Sequence, residues 1–282
     1  MRRTAIAFVV GAVAACGGPA AGPSSDASTS SSVTPAVPAV PGIEAEIVRL
    51  RTDEAIGGQV QVRLTDTGDT PFTVTSVALR SPGFAPVPPT AITAEYAPGR
   101  VIDLPVPFGD AVCDASPVPA SAELTVTRPD GSVEPLEVPA EAQVLELVHA
   151  QECDVLGVTA VVAITVTDLE DGGDALTGSL TLTRREGAEP VTAARLGRSV
   201  LVEPTADLPL ELDGDAEAAS VPVSFTPASC DPHVLAETKK PYVFPLALTV
   251  GDDDEVVVNL PIDETLRARL TALVQRVCGP PS

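Results

Sequence analysis

Five cysteines and two histidines offer the most chemistry in this 282-residue chain, and their spacing allows two kinds of it. Cys16 stands alone behind Val13-Ala14-Ala15, near the N-terminus. Cys113, Cys153, Cys230 and Cys278 form an even set able to pair as disulfides in an oxidising compartment. The rival chemistry is a metal centre. Cys230-Asp231-Pro232-His233 has ligand-like spacing, and His149 lies four residues before Cys153, on the same face of a helix. Carboxylates give a third candidate. Asp168-Leu169-Glu170-Asp171-Gly172-Gly173-Asp174 and Asp252-Asp253-Asp254-Glu255 are dense oxygen clusters of the kind that hold calcium weakly. The first departs from the helix–loop–helix calcium pattern, with Gly172 at its fifth position and Ser179 at its twelfth. Both sit where hairpin turns are predicted, and acidic turns are usually only solvated, so Asp168, Glu170, Asp171 and Asp174 stay secondary candidates for a metal.

Catalysis finds little footing. There is no G-x-S-x-G elbow, no H-E-x-x-H pair and no phosphate-cradling loop. His149 and His233 lie far apart, and carboxylate pairs arise by chance in a chain with 39 acidic residues. No catalytic residue and no cofactor is therefore assigned, and a hydrolase is the least favoured reading. Without tryptophan, and with only Tyr96 and Tyr242 as tyrosines, a sugar-stacking platform is disfavoured. Met1 is the only methionine, which removes copper binding through thioethers.

The elements that must position these residues come as a repeat. Leu104-Pro105-Val106-Pro107-Phe108 and Cys113-Asp114 reappear 117 residues later as Val221-Pro222-Val223-Ser224-Phe225 and Cys230-Asp231. Gly58–Val62 aligns with Gly178–Leu182, Leu124-Thr125-Val126 with Leu248-Thr249-Val250, and Cys153 with Cys278. A period this long marks a duplicated domain, with the boundary near Leu156-Gly157, giving domains over 43–156 and 157–282.

Each copy reads as β-rich. Val60, Val62 and Leu64 alternate with polar residues, as do Val158, Ala160, Val162, Ile164 and Val166 up to Asp171-Gly172-Gly173. The expected fold is mainly β: two tandem Ig-like β-sandwich domains, each closed by a C-terminal helix. Proline-interrupted strands such as Val221-Pro222-Val223 are expected at sheet edges. In the second copy Leu266, Leu270, Leu273, Val274 and Val277 make one helical stripe, with Asp263 as N-cap and Gly279-Pro280 as stop. That helix is expected on its own sandwich, with Arg267, Arg269 and Arg276 facing elsewhere. In the first copy Val144, Leu145, Leu147 and Val148 predict a shorter, less regular helix.

The repeat also chooses among the cysteine pairings. Each copy has one cysteine after its proline-containing strand and one at the end of its helix, so Cys113–Cys153 and Cys230–Cys278 are the expected bridges. Closing loops of this length is worth about 4 kcal/mol each. Metal ligation is disfavoured, because the histidines do not repeat: Ser116 stands where His233 falls, and Val274 where His149 falls.

The N-terminus says where the protein works. Arg2-Arg3, an apolar run from Ala5 to Val13, and small residues before a cysteine describe a signal peptide over residues 1–15. Val13-Ala14-Ala15-Cys16 resembles the lipobox of bacterial lipoproteins, and the resemblance implies lipidation at Cys16. Residues 16–42, rich in Ser, Ala, Thr and Pro, predict a disordered tether. The Arg-over-Lys, Ala-, Val- and Pro-rich bias resembles a GC-rich, actinobacterial composition.

Net charge is −22 and becomes −24 once Arg2 and Arg3 are removed, which argues against nucleic acid and anionic lipid surfaces as direct partners. The expected protein is therefore anchored by lipid to the cell membrane on its extracytoplasmic face. Its expected role is non-catalytic, in protein interaction or structure, through an envelope protein partner; a calcium-binding surface module is the alternative.

Overall fold

The computed structural model describes residues 37–279; the expected signal peptide, Cys16 and most of the expected tether lie outside them. The described chain is mainly β. Ile43–Val48 (β1), Gln59–Asp66 (β2), Phe72–Arg80 (β3), Thr90–Tyr96 (β4), Val101–Pro107 (β5), Ala120–Thr127 (β6) and Val133–Glu141 (β7) make one sheet. Its order is β4-β3-β6-β7-β1-β2-β5. The sheet curls until its edge strands β4 and β5 approach each other, a nearly barrel-like shape. A short helix, Arg51–Ile56 (α1), interrupts β1 and β2.

A long helix, Gln143–Val161 (α2), leads into the second half. There Val162–Asp171 (β8), Leu176–Arg184 (β9), Val191–Leu196 (β10), Val202–Ala206 (β11), Leu210–Leu212 (β12), Ala218–Pro227 (β13), Pro245–Val250 (β14) and Val256–Asn259 (β15) form two sheets. Their orders are β12-β10-β14-β15 and β11-β13-β9-β8. Pro232–Glu237 (α3) and Glu264–Cys278 (α4) complete this half.

Alternation in the sequence becomes burial in the sheets. Val60, Val62 and Leu64 are fully buried on β2, and Val162, Ile164 and Val166 are buried on β8. Two separate clusters of apolar side chains result, one under β1–β7 and one under β8–β15. In α4 the stripe Leu266, Leu270, Leu273 and Val274 is buried, and Asp263 caps the helix by accepting from the Leu266 N–H at 2.7 Å. Val277, which the stripe includes, is largely exposed.

Three expectations need correction. First, the helix of the first half is neither short nor confined to residues 144–148: α2 is 19 residues long and passes straight through Leu156-Gly157. Val158 and Ala160 are helical, and the strand begins only at Val162. Leu145 and Val148 fill the first core while Val158 fills the second, so packing at both ends overrides the β-leaning Val-Thr-Ala-Val run.

Second, β13 is not an edge strand, since it lies between β11 and β9. Pro222 is tolerated because β11 ends at Ala206, opposite Val223, so the missing N–H faces a side with no ladder left to serve. Third, the ladders set the repeat's upstream register at a different offset. Leu104 pairs with Val62, and its counterpart Val221 pairs with Leu180, so Val62 matches Leu180 and Gly58 matches Leu176. The aligned pair slips by two residues, which keeps the same face inward and so leaves the hydrophobic pattern unchanged.

Candidate functional site

The four described cysteines pair as Cys113–Cys153 and Cys230–Cys278, with Cα atoms 5.6 and 5.1 Å apart. Each bridge ties a helix to the loop that follows a strand, Cys153 from α2 and Cys278 from the end of α4. With their sulfurs bonded to each other, neither pair offers the thiolates a zinc-type centre requires. His149 packs edge-on to Phe84, with ring centroids 5.5 Å apart. Its Nε2 lies 3.1 Å from the Val112 carbonyl oxygen and 3.7 Å from Cys153 Sγ. A carbonyl only accepts, so Nε2 carries the proton and is spent holding the Cys113 loop. At the other candidate centre, the His233 backbone N–H donates to Asp231 Oδ1 at 2.9 Å, capping α3.

The acidic hairpin between β8 and β9 is engaged by its own helix. Asp171 pairs with Arg269, and Arg276 Nη2 lies 3.6 Å from its other oxygen. Arg276 Nε also donates to the Gly173 carbonyl at 2.6 Å, and Arg269 Nη2 to that of Leu169 at 3.3 Å. Asp168 takes a left-handed backbone (φ 53°) and accepts from Thr167 Oγ1 at 3.1 Å. Asp168, Glu170 and Asp171 at the end of β8 and Asp174 in the turn thus share a hairpin without converging, and no group of three or more His, Cys, Asp or Glu side chains is disposed around a common point among the described residues.

Two polar features were not foreseen. Asp53 on α1 is fully buried. Its Oδ2 accepts from the Leu50 N–H at 2.8 Å, and its Oδ1 from Gln59 Nε2 at 2.7 Å and Gln61 Nε2 at 2.6 Å. Three donors on one desolvated carboxylate make it an anchor between α1 and β2. Only a run of six residues signals α1, too short for a periodicity argument. Tyr96, buried and stacked on Phe72 at 4.7 Å, points its hydroxyl at the Ile102 carbonyl, 3.5 Å away. Burial, and then the charge of Asp103, push its phenol far up, so it stays protonated and serves as a plug between β4 and β5.

The second acidic run does gain a partner surface. The β14–β15 hairpin and the C-terminal half of α2 enclose a cleft of about 450 Å³. Gly157, Val158 and Val161 of α2 face Val250 and Val256 across it, and Asp154, Asp253, Asp254 and Glu255 make its rim. Glu255 is held by Arg195 at 2.6 Å. A β-carbon at Gly157 would meet no atom within 4 Å, so the helix wall is open there. Sequence singles out the acidic run but not this cleft, because its walls lie about a hundred residues apart and meet only through α2.

No known family model matches the chain, and no curated protein matches it in sequence. Among solved structures, the crystal structure of the YadV chaperone aligns at 12% identity over 77% of this chain and 98% of that one, with a TM-score of 0.21. The crystal structure of red sea bream transglutaminase aligns at 10% identity over 80% of this chain and 32% of that one, with a TM-score of 0.24. Superpositions this loose carry no argument about the fold or the activity of this chain.

Proposed function

We propose that this is a lipid-anchored protein of the bacterial cell envelope, built from two Ig-like sandwiches, with a non-catalytic role in protein interaction or structure. The observation that carries the location is Val13-Ala14-Ala15-Cys16, a cysteine placed directly behind an apolar stretch and small residues. Two disulfides support the same compartment, because such bridges persist where the environment oxidises. Among the described residues no helix is long and apolar enough to cross a membrane.

The Ig-like reading rests on connectivity. In each half the first, second and third-from-last strands lie side by side (β1-β2-β5 and β8-β9-β13), and the third pairs with the penultimate (β3-β6 and β10-β14). Both halves also share one detour. After the third strand the chain crosses to the far side, through the isolated Phe84–Ala111 bridge just past β5 in one half and as β11 beside β13 in the other. It then returns to flank that third strand as β4 or β12. A shared irregularity of this kind favours duplication over two independent sandwiches.

The test is Cys16→Ala in the native cell. Radiolabelled fatty acid should no longer attach, and the chain should leave the membrane fraction. Unchanged lipid labelling in the variant would overturn the anchor.

A further inference from the structure

The two halves guard the same strand edge differently. Leu124 pairs with Leu136 on β7, and its counterpart Leu248 pairs with Val256 on β15, so residues 135, 137, 139 and 141 correspond to 255, 257, 259 and 261. The Leu260 N–H donates to the Phe244 carbonyl at 2.9 Å, which makes that an exchanging pair. Exchanging and non-exchanging pairs alternate along an antiparallel ladder, so Val256 and Val258 bond to β14 while the backbones of Glu255, Val257 and Asn259 face away from it. By the same count, from Arg128 N–H to Ser132 O, the outward positions of β7 are Pro135, Glu137 and Pro139.

Prolines at outward positions are how natural sheets block the addition of another strand. In the first half, β7 is blocked twice, and its end is then covered by β1, through Ala45–Ala140 and Glu46–Glu141. In the second half the counterparts of both prolines are Glu255 and Asn259, Pro261 falls past the end of β15, the strand pairs only with β14, and Val257 leaves 54% of its surface exposed. The cleft against α2 opens at the start of this edge, where Glu255 and Val256 line it beside Asp154, Asp253 and Asp254.

We infer that the open edge of β15, with the cleft at its start, docks an extended cationic segment of a partner protein, which adds to the sheet as a further strand. The inference rests on the interaction role proposed above and names its site. Free backbone donors and acceptors supply register-independent affinity, Val257 meets the apolar side chains on its exposed face, and the acidic cleft beside Val256 selects the alternating Lys or Arg on the other face. Charge decides the occupant. The chain's own tether carries Asp26 and no basic residue, and a second copy brings a net −24, so both are repelled where a basic strand is attracted.

The test uses the purified full chain and a synthetic peptide of about eight residues alternating valine with lysine, against a valine–glutamate control. The lysine peptide should bind and slow amide exchange at Val257 and Asn259, and the glutamate peptide should not. Asn259→Pro, which reproduces Pro139, and Gly157→Leu, which fills the cleft while raising helix propensity, should each weaken binding about tenfold or more without lowering the melting temperature. Equal affinity in these variants, protection elsewhere or no binding overturns the site.

On intact cells a photo-crosslinking residue at Val257 should trap a partner protein with a basic strand. Crosslinks from Val133 alone, exposed on the guarded strand β7, would overturn this edge and leave the interaction role standing. Crosslinks from neither would overturn both, and a dimer of this chain through Val257 would overturn the cationic occupant.

Discussion

Residues 43–141 and 162–259 run through corresponding strands, with β11 added in the second, yet the first half closes into one sheet and the second stays as two. The difference turns on one corner. In the first half, parallel pairing of Glu46 with Glu141 joins β1 to β7. The residue matching Glu141 is Pro261, which has no N–H to give, and β8 accordingly pairs with β9 alone. A second difference lies between the first two strands. The first half inserts α1 with its buried Asp53, where the second has only the acidic turn that Arg269 and Arg276 hold. The two halves keep the same cores and staples, and vary at edges and turns, where a change costs little stability and alters what the surface can bind.

The largest effects should come from what the halves share. Cys113→Ser with Cys153→Ser, and Cys230→Ser with Cys278→Ser, open loops of 40 and 48 residues. Each double variant should lose about 4 kcal/mol of unfolding stability, as measured by urea titration. Because the chain-entropy model makes the two losses nearly equal, a gap of more than about 2 kcal/mol between them would break the equivalence of the staples.

Much of this was readable in the residues. The cysteine pairing followed from the repeat, and the α4 stripe with its Asp263 cap followed from helical spacing. The strand positions followed from alternation wherever one face was buried. Harder to read was α2, because Val158–Val161 carries a strand's composition and is held helical only by packing against both cores. Pro222 misled for a related reason: a proline forbids one hydrogen bond, and whether a neighbour exists to need it depends on where β11 stops. The cleft was invisible for want of any local signal.

A middle-sized effect should separate the halves at α1. Asp53→Asn keeps the shape but replaces one carboxylate oxygen with a donor, setting it against either the Leu50 N–H or the two glutamine amides. The loss should be about 2–3 kcal/mol, and amide exchange should accelerate first in β1 and β2. Faster exchange in β8 and β9 instead would mean that strain passes through α2, and would join the halves into one folding unit.

The smallest effect belongs to the turn that answers α1 in the second half. Arg269 and Asp171 leave 43% and 37% of their side chains exposed, so solvent screens most of their attraction. Arg269→Ala also removes the bond to the Leu169 carbonyl, and should cost about 0.5–1 kcal/mol, measured by urea titration. The cost should shrink as salt rises, since exposed pairs are screened within about 10 Å at 0.1 M. Added calcium sharpens the reading of the same turn. If Arg269 only neutralises Asp171, millimolar calcium should leave the melting temperature of Arg269→Ala unchanged. A rise confined to the variant would mean that the arginine stands in for a cation at Asp168, Glu170, Asp171 and Asp174.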